Sequence, residues 1–171
     1  MTNIPGNGAV ALAYLAGVID SDGCIAISKY YDTKKPNRSP RYVVDLTVVN
    51  TSVRLMNWLV DNYGGSYSKR RKHSESHKDT YSWKYTNSKA VTLLALIKPY
   101  LVEKWDRAEN AIQFFGEDNF TRNGNNRVKE EELARREAHY VIAKMLNQNG
   151  PVQPQRLNSE APVGLQDDAI V

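Results

Sequence analysis

The stretch Ala9–Gly23 (AVALAYLAGVIDSDG) constrains this chain more than any other segment. It is apolar and rich in small residues up to Ile19, then ends in two acids and a glycine. Asn7 is a suitable N-cap, so a helix is expected from about Gly8 to Asp20, broken at Asp22-Gly23. Ala13, Ala16 and Gly17 place small side chains at i, i+3 and i+4, and with Leu12 they offer a face on which two such helices can approach closely. Asp20 and Asp22 emerge at the C-terminal end, where the helix dipole disfavours anions. A divalent cation would offset that cost; Mg²⁺ takes hard oxygen ligands, few of them from protein. Taken alone, Asp-x-Asp-Gly also describes an ordinary turn with solvated acids.

The rest of the chain alternates between two periodicities. Cys24–Tyr31 reads as a strand, Asp32–Pro40 as a polar turn or long hairpin loop, and Arg41–Val49 as a β-branched second strand. Thr51 or Ser52 can cap a helix that runs to Tyr63 and ends at Gly64-Gly65. Two further strands, Ser66–Lys72 and Thr80–Thr86, flank the loop His73–Asp79. Ser88 opens a helix that Pro99 stops, and another covers about Val102–Phe115. After the Asn- and Gly-rich loop Gly116–Arg127, a helix with an acidic first turn spans Val128–Leu146. From Gln148 the chain has three prolines and no periodicity, which reads as a flexible tail. One domain over 1–147 is expected, with a core of about 8–115, an extra helix at about 128–146 and a tail over 148–171. The first helix has no second copy.

Charge is uneven. The whole chain of 171 residues carries +4, but Lys29–Lys84 holds twelve Lys and Arg against five Asp and Glu, a local net of +7. A basic middle segment is the footprint of a phosphate-binding face. One cysteine, Cys24, excludes an intramolecular disulfide and a cysteine-held zinc. His73, His77 and His139 have no metal-ligand spacing. No signal-like leader or membrane-length apolar run is present, so an intracellular protein with no membrane partner is expected.

Leu15–Gly23 reads LAGVIDSDG, which resembles the nine-residue motif of the LAGLIDADG homing endonucleases and departs from it only at Val18 and Ser21. The element order from Ala9 to about Phe115 is similar to that family's αββαββα core. The resemblance implies an α+β fold, an antiparallel sheet saddle with helices on one face. It implies a single-motif, homodimeric endonuclease that makes double-strand breaks with short 3′ overhangs in a long, roughly palindromic DNA target. Asp22 is then the catalytic metal ligand, with the Ser21 carbonyl secondary and Asp20 a weaker, more structural acid; the cation is Mg²⁺, with Mn²⁺ able to substitute. Asn50, at the end of the second strand, matches a position that orients water, although an N-capping or turn asparagine fits there equally. Lys104, a few residues past Pro99-Tyr100-Leu101, matches a lysine near the scissile phosphate, where developing charge can be stabilised. Arg54 matches a basic residue of the same pocket.

Strand alternation then sorts a DNA-reading face from a core face. Ile25, Ile27, Tyr42, Val44, Leu46, Val48 and the aromatic set Tyr81, Trp83 and Tyr85 should face the helices. Ser28, Tyr30, Arg41, Val43, Asp45, Thr47, Ser82 and Lys84 should face DNA, joined by Lys69 and Arg71 of the third strand. Lys34, Lys35 and Arg38 would reach the ends of the site from the first hairpin loop. A twisted antiparallel ribbon of this kind fits the major groove. An RNA maturase, or a DNA-binding regulator that does not cut, could use the same scaffold; Asp22 with Lys104 favours the nuclease.

Overall fold

The structure is a computed structural model that describes residues 8–35, 38–71, 76, 78–117 and 128–149. Asn7, part of both hairpin loops, Lys72, residues 118–127 of the third loop and the tail from 150 onward lie outside the described residues.

Four antiparallel strands form one sheet with helices on one of its faces. The helix α1 (Ala9–Asp22) leads directly into β1 (Gly23–Tyr30), which pairs with β2 (Arg41–Asn50). The helix α2 (Val53–Tyr63) precedes β3 (Tyr67–Lys69) and β4 (Tyr81–Thr86). The strands lie in the order β1-β2-β4-β3. The helix α3 (Asn87–Ile97), a 3-10 turn (Lys98–Tyr100), α4 (Trp105–Glu117) and α5 (Glu130–Asn149) complete the chain. The expected α+β class and αββαββα order are present.

Local chemistry explains the element ends. Ser52 caps α2, its hydroxyl accepting from the Leu55 N–H at 3.2 Å. Gly64 and Gly65 turn the chain at φ +84° and +82°, a region that L side chains avoid. The Trp83 indole then donates to the Gly64 carbonyl at 2.9 Å, tying this turn to the sheet. The third strand, Tyr67–Lys69, is shorter than the expected Ser66–Lys72, of which Lys72 lies outside the described residues.

The core lies between the sheet's inner face and the helices. Ile25, Ile27, Val44, Leu46, Val48 and Trp83 bury from the sheet against Leu15, Ile19, Met56, Leu59, Leu94, Ile97 and Phe114. Each large aliphatic or aromatic side chain removed from water contributes about 1.5–3 kcal/mol, so these positions carry most of the folding drive. The helix α5 closes the edge beside β1, with Ala143 buried. The Asn147 amide donates to the Ile25 carbonyl at 3.1 Å, and Arg107 reaches the Leu146 carbonyl at 2.9 Å. Among the described residues no helix is long and apolar enough to cross a membrane.

Candidate nuclease site and nucleic-acid face

The first helix ends two residues later than its sequence suggests, so both acids sit on its last turn. Its inner face buries Leu12, Leu15, Ala16, Val18 and Ile19. This corrects the expected contact face: Leu12 and Ala16 point into the chain's own core, at 7% and 0% exposure. Ala13 and Gly17 remain outside, together with Val10 and Tyr14, which the sequence reading missed. The spacing 10, 13, 14, 17 was the available signal, since it repeats at helical period on the side opposite Leu15 and Ile19. Among the described residues a Cβ at Gly17 would meet nothing within 4 Å, so no contact there requires its smallness. Gly23 differs, because a Cβ there would lie 2.6 Å from the Ile19 carbonyl oxygen. Only glycine lets the chain turn from α1 into β1 this closely.

The two acids have different surroundings. Asp20 is half-buried, and its carboxylate accepts from the Val102 N–H at 2.8 Å and the Lys104 N–H at 3.0 Å. It thereby satisfies backbone donors just ahead of α4. Each of its oxygens accepts one amide N–H, in keeping with the more structural part expected of this acid. Lys104 returns the contact, its Nζ donating to the carbonyls of Ile19 and Asp20, each at 2.7 Å. That lysine is 8% exposed as a residue, and its ammonium closes the C-terminal end of α1 instead of facing open solvent. Burial lowers its pKa, Arg107 lowers it further, and Asp20, Cys24 and Asp22 partly oppose the shift.

Asp22 is exposed. The register that pairs Gly23 with Val48 brings the end of β2 beside it, and the Asn50 amide donates to its Oδ2 at 2.6 Å. The other end of the Asn50 amide accepts the Ser52 N–H at 2.8 Å, which fixes which way the side chain points. Asn50 is therefore both the turn asparagine and the group that orients Asp22. Ser21 bonds back to the carbonyls of Gly17 and Val18 at 3.1 and 3.2 Å and is exposed. Arg54 is exposed on the first turn of α2. Asp22, Asn50 and Lys104 thus gather at one end of α1. Among the described residues no three His, Cys, Asp or Glu side chains come together as a metal cluster.

The sheet's outer face departs from expectation in three places. Direct pairing of Tyr67 with Trp83 and of Lys69 with Tyr81 puts Lys69 on the helix-side parity, and Arg71 follows it. Lys69 is instead held by Asp79 at 2.7 Å. Ser68 opposes Ser82, and the Arg70 N–H continues the ladder to the Thr80 carbonyl at 2.8 Å, so Arg70 is the basic residue with outer-face parity. Asp45 has the expected parity but is buried at 7% exposure, gripped by Ser28 at 2.5 Å and Lys84 at 2.8 Å. Val43, beside it, is also buried. Arg41 and Tyr30 are exposed at one end of that face, Thr47 is half-buried, and Lys34, Lys35 and Arg38 are exposed in the first hairpin loop.

A second charged cluster joins α5 to the sheet. Lys29 meets Glu137 at 2.6 Å, and Tyr42 also donates to Glu137. The lysine holds the carboxyl below its ordinary pKa, and burial with the nearby carboxylate pushes the tyrosine up to about 12.

No family sequence model and no curated protein matches this chain. Its structure does have relatives. An archaeal intron-encoded homing endonuclease, I-Vdi141I, solved with DNA, superposes with a TM-score of 0.65 at 11% identity, covering 82% of this chain and 86% of that one. The homing endonuclease I-CvuI, solved with its target in the presence of Ca, gives 0.54 at 18% identity over 85% of this chain and 98% of that one. The LAGLIDADG homing endonuclease I-LtrWI, bound to target DNA, gives 0.55 at 16% identity over 74% of this chain but only 42% of that one. Element order, sheet topology, the placement of LAGVIDSDG on α1 and these superpositions agree: the chain has the fold of the LAGLIDADG homing endonucleases.

Proposed function

We propose that the chain is a site-specific DNA endonuclease that acts as a homodimer and hydrolyses both strands of its target around Asp22. The observation that carries this reading is the pairing of Asp22 with Asn50. An exposed carboxylate stands at a helix end that repels anions, and a fixed amide orients it. The neighbouring acid of the same turn is half-buried and already accepts two backbone amides, whereas Asp22 is exposed to a ligand.

The donor set fits a hard divalent cation such as Mg²⁺. Asp22 supplies a carboxylate and Ser21 a backbone carbonyl, both oxygens, and Mg²⁺ fills the rest of its shell with water and phosphate oxygens. When bound, such an ion neutralises phosphate charge and favours ionisation of water for in-line attack. Asp22 holds the ligand, Asn50 keeps the carboxylate oriented, and Lys104 with Asp20 locks the end of α1 against α4 so that Asp22 stays placed. Arg54 offers a cation to the backbone of the DNA. The DNA- and Ca-containing complexes of the structural relatives support the same partners here.

A break in both strands needs two such sites. This chain carries one LAGVIDSDG helix and superposes on under half of I-LtrWI, which supports pairing of two copies. The exposed stripe of Val10, Ala13, Tyr14 and Gly17 offers the apolar, small-residue face for that pairing. The test is incubation of the protein with a plasmid library carrying randomised inserts, with Mg²⁺ or with EDTA. We expect linearisation within a set of related, roughly palindromic sequences, short 3′ overhangs, and no product in EDTA. Absence of breaks in the whole library would overturn the nuclease reading, and RNA binding without breaks would favour the maturase.

A further inference from the structure

Asp45 is out of place on a surface meant for a polyanion. It lies on β2 with the outer-face parity, between β1 and β4, and a carboxylate there repels phosphates. It is not in direct cross-strand register with either partner. It sits opposite Ala26 on β1 and Thr86 on β4, yet Ser28 and Lys84 both reach it diagonally, at 2.5 and 2.8 Å. Three strands thus converge on one carboxylate whose side chain is 10% exposed. The lysine side chain it holds is 44% exposed. The contact is an ion pair, and the ammonium brings three N–H donors to that place.

We infer that Ser28, Asp45 and Lys84 form a specificity device in which Asp45 fixes the ammonium of Lys84 for reading a base edge, and keeps it from neutralising a phosphate. This rests on the DNA-endonuclease reading above and adds the residue that discriminates sequence. A free lysine on a flexible stem follows whichever phosphate is near and carries no sequence information. Held in one place by a buried carboxylate, the same group offers donors at a fixed position, which suits the O6 and N7 acceptors of guanine in the major groove. The pair's near-zero net charge also removes one sequence-independent attraction, so affinity for random DNA is sacrificed for discrimination. Asp45 is a positioning residue, since it touches Lys84 and Ser28 and is itself buried away from the ligand.

The test uses the full-length protein and a pool of duplexes about 40 base pairs long with randomised arms, selected by binding in Ca²⁺ and sequenced. For the wild type we expect one position per half-site whose base preference depends on Lys84. Lys84→Met should erase preference at that position alone, a loss of roughly fivefold or more in discrimination, while every other position keeps its preference. Asp45→Asn should erase the same position but raise affinity for random duplex, with the slope of log K against log[salt] steeper by about 0.9. If Lys84→Met weakens all sequences equally and flattens the slope by about 0.9, Lys84 is a phosphate contact and the inference fails while the nuclease reading survives. If Asp45→Asn does not fold, the Lys84→Met profile decides alone, because the Lys84 side chain is the more exposed of the two. A wild type that binds no duplex overturns both the inference and the reading beneath it.

Discussion

The end of α1 and the seam between α5 and β1 each bring an acid against a lysine, and they differ in what is left over. At the seam, Glu137 accepts from both Lys29 and Tyr42, and the cluster closes upon itself. At the end of α1, Asp20 and Lys104 satisfy each other's backbone, with Asp20 on amides ahead of α4 and Lys104 on carbonyls of α1. Asp22, two residues on, is exposed, accepts one hydrogen bond from Asn50 and feels the Lys104 ammonium only at longer range. A carboxylate supplied with cations or amides inside its own chain stabilises the fold; one left exposed at a helix C-terminus is open to a ligand.

The largest effect is expected at the face proposed to pair two copies. Among the described residues nothing lies within 4 Å of a Cβ at Gly17, so Gly17→Leu should be accepted by the single chain, but it widens the stripe proposed to pair. We expect sedimentation to show monomers, unchanged thermal stability of the monomer, and loss of double-strand breaks. A Gly17→Leu variant that remains a fully active dimer would place the interface elsewhere.

Lys104→Met sharpens the contrast between closed and open clusters. It strips a buried donor from two α1 carbonyls, at a cost of about 1–3 kcal/mol in urea unfolding. Any loss of cleavage should follow from displacement of Asp22. Slower cleavage with unchanged stability would instead return Lys104 to a direct contact with phosphate.

Glu137→Gln gives the smallest effect, about 1 kcal/mol or less, because the glutamate side chain is 40% exposed and its ion pair is screened. The pH dependence has a definite sign. The folded carboxyl has its pKa lowered, first by Lys29 and then by Tyr42, so its stabilisation is complete above the ordinary glutamate range and fades as pH falls through the lowered value. Urea unfolding of both proteins should therefore differ at neutral pH and converge in acid. A constant difference across pH would remove the charge from the explanation.

Much of this was legible beforehand. LAGVIDSDG marked the helix end, strand alternation sorted the inner sheet face correctly through Ile25, Ile27, Val44, Leu46 and Val48, and Asn50 was found as the residue closing β2. The failures have one physical origin: contacts between elements distant in sequence. Small size at Ala16 does not say which side of a helix it faces, and the core took it. The pairing register of the short β3 put Arg70, not Lys69 or Arg71, on the outer-face parity. Parity placed Asp45 correctly on the outer side, but only diagonal neighbours from two other strands reveal that it is buried. Asp20 and Lys104 are far apart in sequence, and nothing local announces their exchange of backbone contacts.

The most direct test is Asp22→Asn, compared with the wild type on a duplex recovered from the cleavage library, with both proteins at saturating concentration. Cleavage in Mg²⁺ should fall to background while binding in Ca²⁺ is retained, and stability should hold or rise by about 0.3–1 kcal/mol, because an anion leaves a helix C-terminus. A variant that cuts at a rate comparable to the wild type, or one that loses stability as a fold-supporting acid would, contradicts the assignment of Asp22 as the carboxylate kept open for catalysis.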